Sequence, residues 1–137
     1  MGTVYDEITL KNAGDVINEK RGLIKESEVR KTTIRVVADT GADTLIINEA
    51  VRAALGLQIW GLAQAWLADG MNHGCQLTEP VEVHWKNRSM TCQPWLIATA
   101  QEVLLGAIPL EDMDITVDCN RYCLVGVHGD QQIRYVR

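Results

Sequence analysis

The chain lacks the features that mark several whole classes of protein. No long basic cluster interrupts a formal net charge of −5, so the electrostatic footprint of a nucleic-acid partner is missing. No apolar run approaches the ~20 residues that a membrane-spanning helix needs. Met1-Gly2-Thr3-Val4-Tyr5-Asp6 shows no basic-then-apolar leader pattern, and Asp6 stands where a myristoylation signal wants Ser or Thr. The expectation from these absences is a cytoplasmic protein with neither nucleic acid nor membrane as partner. The four cysteines, Cys75, Cys92, Cys119 and Cys123, fit no familiar zinc spacing, even with His73 or His128 added. Reduced and mostly buried thiols are expected, with no metal and no disulfide framework. There is also no internal repeat, low-complexity linker or long helical periodicity, and 137 residues suit one domain over 1–137.

What is present is a succession of short strand-like segments separated by turns. Val4–Leu10 reads as a first strand, followed by the polar turn 11–15. Residues 16–31, of mixed charge, read as a loop or short helical excursion. Thr32–Ala38 is rich in β-branched residues and reads as a strand. Asn48 is placed to cap a short helix over Glu49–Leu55, with Val51, Ala54 and Leu55 inward and Gly56 as its stop. Leu57–Leu67 and a return strand from Cys75 through Pro80 to Trp85 flank the Gly-bounded turn 68–74. In that return strand alternation puts Val81, Val83 and Trp85 on one face. Further strands are expected over 90–98, 114–118, 122–127 and 132–136, with a helical turn near 108–113. The sum is a mainly β fold, closed or nearly closed. His73, His84 and His128 read as surface histidines, and Trp60, Trp66, Trp85 and Trp95 as core or hairpin-packing residues.

The chemistry-bearing segment is Ala38-Asp39-Thr40-Gly41-Ala42, set between the apolar runs Thr33–Val37 and Leu45–Ile47. Alone the tripeptide is weak, because Asp, Thr and Gly are ordinary turn residues. It gains weight from the later run Val103-Leu104-Leu105-Gly106. A strand, an Asp-Thr-Gly-Ala turn, a second strand and a distant apolar-apolar-Gly segment resemble the retroviral-like (retropepsin-like) aspartic proteases, in their cellular or bacterial form. The resemblance spans about Thr32 to Val125.

That resemblance implies a retropepsin-like half-barrel with a flap hairpin and one or two short helices. It implies a homodimeric aspartic endopeptidase acting on peptide or protein, without a cofactor. Asp39 would be catalytic, with Thr40, Gly41, Ala42, Leu105 and Gly106 supporting it. Trp66, Asp69, Gly70, Met71 and Asn72 would form the substrate-binding flap. Ala107 and Ile108 occupy places where retroviral members carry charged residues that brace the dimer, so the interface would be held otherwise. The rival reading is a dimeric, non-catalytic module that binds peptide by strand addition.

Overall fold

The computed structural model describes residues 3–66 and 72–133. Eleven strands and three short helices alternate along them: β1 (Tyr5–Asn12), α1 (Ala13–Lys20), β2 (Lys31–Ala38), β3 (Leu45–Ile47), α2 (Glu49–Leu55), β4 (Ile59–Trp66), β5 (Asn72–Thr78), β6 (Val81–Trp85), β7 (Arg88–Cys92), β8 (Trp95–Leu96), β9 (Val103–Leu105), α3 (Ala107–Asp112), β10 (Ile115–Asp118) and β11 (Cys123–Gly126). A 3-10 turn covers Glu26–Glu28. Nine strands share one sheet in the order β4-β5-β8-β3-β9-β2-β1-β6-β7, and β10 and β11 pair apart from it.

That order forces the sheet to curl. β5 and β6 lie six steps apart in it, about 29 Å if the sheet were flat at ~4.8 Å per strand. Only Glu79 and Pro80 join them, and three virtual Cα–Cα bonds span at most ~11 Å. The link from β7 to β8 through Gln93 and Pro94 makes the same demand. The result is a mainly β half-barrel whose concave side encloses Ile8, Leu10, Val36, Leu45, Leu105 and Met113, all 2% exposed or less. The expected single strands over 75–85 and 90–98 are each broken at their proline, which offers no N–H to a ladder. Each half then pairs at a different end of the sheet.

Local chemistry accounts for most elements. The Asn48 side chain accepts from the Val51 N–H at 3.1 Å, and Gly56 closes α2 in the left-handed region at φ 61°. Val51 and Leu55 are buried as expected, but Ala54 is exposed: a two-turn helix packed on β1 and β2 buries a narrower stripe. On β6, Val81, Val83 and Trp85 are all buried, as the alternation requires. Residues 13–20 are helical, so the helix that is one of the two readings for 16–31 begins earlier, inside the expected turn 11–15. Asn12 caps α1 by accepting from the Asp15 N–H at 3.1 Å and donates through Nδ2 to Leu55 O at 2.9 Å. Asp15 then binds Arg30 through Nε at 2.8 Å, Nη2 at 3.0 Å and the backbone N–H at 3.0 Å, which pins the whole 13–30 excursion. That ion pair holds the Asp15 carboxyl below its usual range, with the Arg30 side-chain hydrogen bonds as the main cause. Trp60, expected in the core or a hairpin packing, is 62% exposed on β4. Residues 132 and 133 are not strand, and the rest of the expected terminal strand lies outside the described residues.

Candidate active site

Asp39 follows directly from the last residue of β2, and its position is fixed by what lies between β2 and β3. β9 is inserted there. It runs parallel to β2, with Val36↔Val103, Val37↔Leu104 and Ala38↔Leu105 in register. It runs antiparallel to β3, with Leu45↔Leu105 and Ile46↔Leu104. The turn 39–44 therefore arches over the end of β9. The Asp39 N–H donates to Leu105 O at 3.0 Å, and the Ala42 N–H closes the turn on Asp39 O at 3.1 Å. On the far side, the Ala107 N–H donates to Ala42 O at 2.8 Å and the Ile108 N–H to Asp43 O at 2.9 Å. The backbone carrying the carboxylate is thus tied at three points to the segment 105–108.

Gly106 explains why a glycine ends that segment. Its φ of −88° is one any residue adopts, so conformational freedom is not the reason. A Cβ there would stand 2.6 Å from Ala42 O and 2.8 Å from Thr44 N, with Thr44 O closer still. Only a residue without a side chain lets the turn sit down on β9. Leu105, fully buried, supplies the apolar floor.

The carboxylate itself is half-buried, and Oδ1 accepts the Gly41 N–H at 2.9 Å. A Cβ on Gly41 would come within 3.1 Å of that same oxygen. Thr40 is exposed, and no hydrogen bond among the described residues engages its hydroxyl. Ala42 is half-buried, and Asp43 is exposed. Asp39, Thr40, Gly41, Ala42, Leu105 and Gly106, far apart in sequence, are therefore assembled into one rigid unit. That unit offers a single, partly solvated carboxylate at the end of three strands.

Of the flap residues, Trp66 and Asn72 are opposite one another at the end of the β4–β5 hairpin. Asp69, Gly70 and Met71 lie outside the described residues. Beside this hairpin is an open groove of about 640 Å³ whose lining includes Leu62, Cys75, Gln76, Leu96, Ile97 and Thr99. Leu62, Gln76 and Leu96 stand in one cross-strand row over β4, β5 and β8. No residue of the Asp39 turn lines the groove, because β3 separates β8 from β9. Sequence reasoning missed the 96–99 wall. Its only local signal is the apolar run Trp95-Leu96-Ile97-Ala98 after Pro94, which reads equally as core.

The thiols are less uniform than expected. Cys75 is buried, Cys92 and Cys123 are partly so, and Cys119 is exposed; all four are free. Burial pushes the Cys92 thiol up to about 12, with help from the Asp112 charge, and burial also raises Cys75. His128 is exposed, as expected, and its Nδ1 lies 2.6 Å from Asp114 Oδ2.

No family model matches the chain, and no curated protein does. Among solved structures it is similar to the retroviral protease-like domain of Ddi1 from Leishmania major, with a TM-score of 0.56 and 14% sequence identity. The match covers 91% of this chain and 88% of that one. Likeness at so low an identity speaks to architecture alone, and the architecture it establishes for this chain is the retropepsin-like fold.

Proposed function

We propose that the chain is an aspartic endopeptidase that works as a homodimer, each copy contributing Asp39. The observation that carries this reading is the Asp39 turn: one carboxylate, partly solvated, on a backbone locked to Leu105, Ala107 and Ile108. A surface turn with no chemical task needs neither that bracing nor a glycine forced against it. Amide hydrolysis by carboxylates needs one group to take a proton from water and another to protonate the developing oxyanion. A chain with a single Asp-Thr-Gly meets that need by two-fold symmetry.

Two carboxylates about 4 Å apart repel by ~4 kcal/mol at an effective dielectric near 20, equivalent to ~3 pKa units. They therefore share one proton over a wide pH range, the known behaviour of the aspartic-protease pair. The ionised partner draws a proton from water as the water attacks the scissile carbonyl, and the protonated partner donates toward the carbonyl oxygen. The Gly41 N–H, donating to Asp39 Oδ1 at 2.9 Å, orients that carboxylate. The Thr40 hydroxyl, engaged by no hydrogen bond among the described residues, would brace the opposite turn, and Ala42 would leave room for a substrate backbone. The β4–β5 hairpin, which ends at Trp66 and Asn72, serves as the flap that excludes water, with Asp69, Gly70 and Met71 between those two in the sequence. No step in this mechanism calls for a metal or organic cofactor. Four free thiols suit a reducing compartment such as the cytoplasm, and the uncharged Ala107 and Ile108 favour the cellular or bacterial form of the fold.

The test is cleavage of a diverse peptide library by wild type and Asp39→Asn, read by mass spectrometry from mildly acidic to neutral pH at several protein concentrations. Expected is cleavage that requires Asp39 and rises faster than linearly with protein. Cleavage that survives Asp39→Asn refutes the mechanism. A non-catalytic peptide-binding module is the second reading. It is favoured by the apolar groove lying a strand away from Asp39, beside the outer strand β4 with Leu62 81% exposed. A dimer that binds peptides and never cuts them would support it.

A further inference from the structure

The strand that delivers the Asp39 carboxylate carries a second charged group on the same face. Alternation sets Arg35 and Val37 opposite the buried Val36, and Asp39, next after the last residue of β2, continues their row. Val37 stands across from Leu104, and Leu104 across from Ile46, so an apolar strip runs beside Asp39 on this face. Two residues further out along β2 the strip gives way to Arg35, which is exposed. The four residues of strand from Asp39 to Arg35 span about 13 Å, at ~3.3 Å per residue.

Arg35 is held in place while its polar groups stay free. In the β1–β2 ladder its direct partner is Glu7, and Val37 faces Tyr5. The guanidinium makes no ion pair with Glu7 and lies instead on the Tyr5 ring, its central carbon 3.6 Å from the centroid. The ring is fixed in turn, because the Tyr5 hydroxyl donates to Glu102 Oε1 at 3.1 Å on the segment before β9. Stacking uses the face of a guanidinium and leaves the N–H groups at its rim. No hydrogen bond or ion pair among the described residues engages them. Beside them is an open hollow of about 430 Å³, with Tyr5, Arg35, Val37, Gln101, Glu102 and Val103 in its wall. Among the described residues of that wall Arg35 is the one cation, and the one acid, Glu102, holds the Tyr5 hydroxyl.

An extended peptide has the same two-residue side-chain period as β2. A substrate lying along this face with one side chain over Val37 and Leu104 therefore sets another, two residues on, at Arg35. A planar, permanently charged fork with a free rim suits a carboxylate, which it grips through two parallel N–H···O bonds. We propose that Arg35 is a specificity residue, selecting peptides that carry Asp or Glu about three to four residues from the scissile bond. Two-fold symmetry supplies one Arg35 from each copy, so the preference falls on both sides of the cut. Because Tyr5 already holds the guanidinium, little side-chain freedom is left to lose on binding. This rests on the two-carboxylate reading above and names the substrate class of that site.

The test uses labelled peptides of one apolar host sequence, with Asp, Asn or Lys placed singly along it. Expected for the wild type is a kcat/KM about tenfold higher for Asp than for Asn at the third or fourth residue on either side of the cut. That ratio should shrink at high salt. Arg35→Met, which keeps an apolar stem and loses the charge, should bring the ratio near one, and Arg35→Glu should turn the preference to Lys. Arg35 is exposed, so both variants should keep the wild-type far-UV circular dichroism. Fluorescence anisotropy of the same peptides on Asp39→Asn, with and without Arg35→Glu, reads binding apart from turnover and should give the same order. Asp39-dependent cleavage with no Asp preference in the wild type, or with one that survives Arg35→Glu, overturns the Arg35 assignment alone. Absence of Asp39-dependent cleavage at every protein concentration overturns the two-carboxylate reading. Binding that favours Asp through Arg35 then upholds the carboxylate site, and binding blind to charge overturns it as well.

Discussion

Replacing Gly106 with alanine probes the bracing of the Asp39 turn more directly than any change in the turn itself. The added methyl meets Ala42 O at 2.6 Å and Thr44 N at 2.8 Å, and Thr44 O closer still. All three are backbone atoms, so no side chain can swing aside. Because φ is −88°, the penalty is steric and owes nothing to the Ramachandran map. Overpacking of this kind costs ~1–3 kcal/mol, and rigid neighbours put it near the top of that range. Alanine also narrows the unfolded ensemble, which returns ~0.4–1 kcal/mol. The net is about 2 kcal/mol, or roughly 6–8 °C in Tm for a chain of this size. Relief requires the turn to lift off β9, which lengthens the Ala107–Ala42 and Ile108–Asp43 bonds, now 2.8 and 2.9 Å. A displacement of ~1 Å at a reacting group costs about a hundredfold in rate, so any cleavage should fall further than stability does. Urea unfolding and library cleavage are measured on Gly106→Ala beside Gly61→Ala, a site where a Cβ meets nothing within 4 Å. A Gly106→Ala protein as stable and as active as Gly61→Ala would refute the idea that close backbone approach sets this site.

Asp114→Asn should flatten the acid limb of the stability curve. Burial pushes this carboxyl up, but hydrogen bonds from His128 and the Ile133 N–H, with the His128 and Arg88 charges, outweigh it and hold the pKa low. A folded pKa below the unfolded value of ~3.9 means the contribution is present above that pH and lost as pH falls through the folded pKa. Asparagine tolerates the φ of 58° at this position, so the variant isolates the charge. Urea midpoints should show it less stable than wild type at neutral pH and losing less on acidification; parallel curves refute this. Cys92 should resist alkylation in the folded protein. At pH 8 a thiol of pKa about 12 is ~10⁻⁴ ionised, against ~0.2 for a free cysteine, a difference on the order of 10³. Peptide mapping after iodoacetamide should find Cys119 labelled and Cys92 unlabelled until urea is added, and equal rates refute it.

Much of the local structure was legible because its causes are local. The caps of α2, the Asn48 side chain and the left-handed backbone of Gly56, satisfy groups within four residues of themselves. The face of β6 follows from strict alternation at Val81, Val83 and Trp85. The helix α1 carried the same kind of signal in Asn12 and Asp15. It was obscured because those residues also make turns, and because Arg30, which fixes Asp15, lies fifteen residues away. The breaks at Pro80 and Pro94 were written in the chain as missing donors. Their consequence, that each half-strand pairs at a different end of the sheet, was not.

For the candidate site the division is similar. The Asp39-Thr40-Gly41 turn and the strands around it are readable from pattern, whereas Leu105-Gly106 as its distant counterpart came from the family resemblance they carry. The half-barrel itself followed from their resemblance to the retropepsin-like fold. The insertion of β9 between β2 and β3 belongs to tertiary structure, as do the crowding of Gly106 against Thr44 and the 96–99 wall of the groove. So does the cover that Arg88, Gly129 and Asp6 give to β11. The physical reason is one of range. Propensity, capping and alternation act over a few residues and are encoded where they act, whereas strand order and edge protection depend on which segments meet after the sheet has curled.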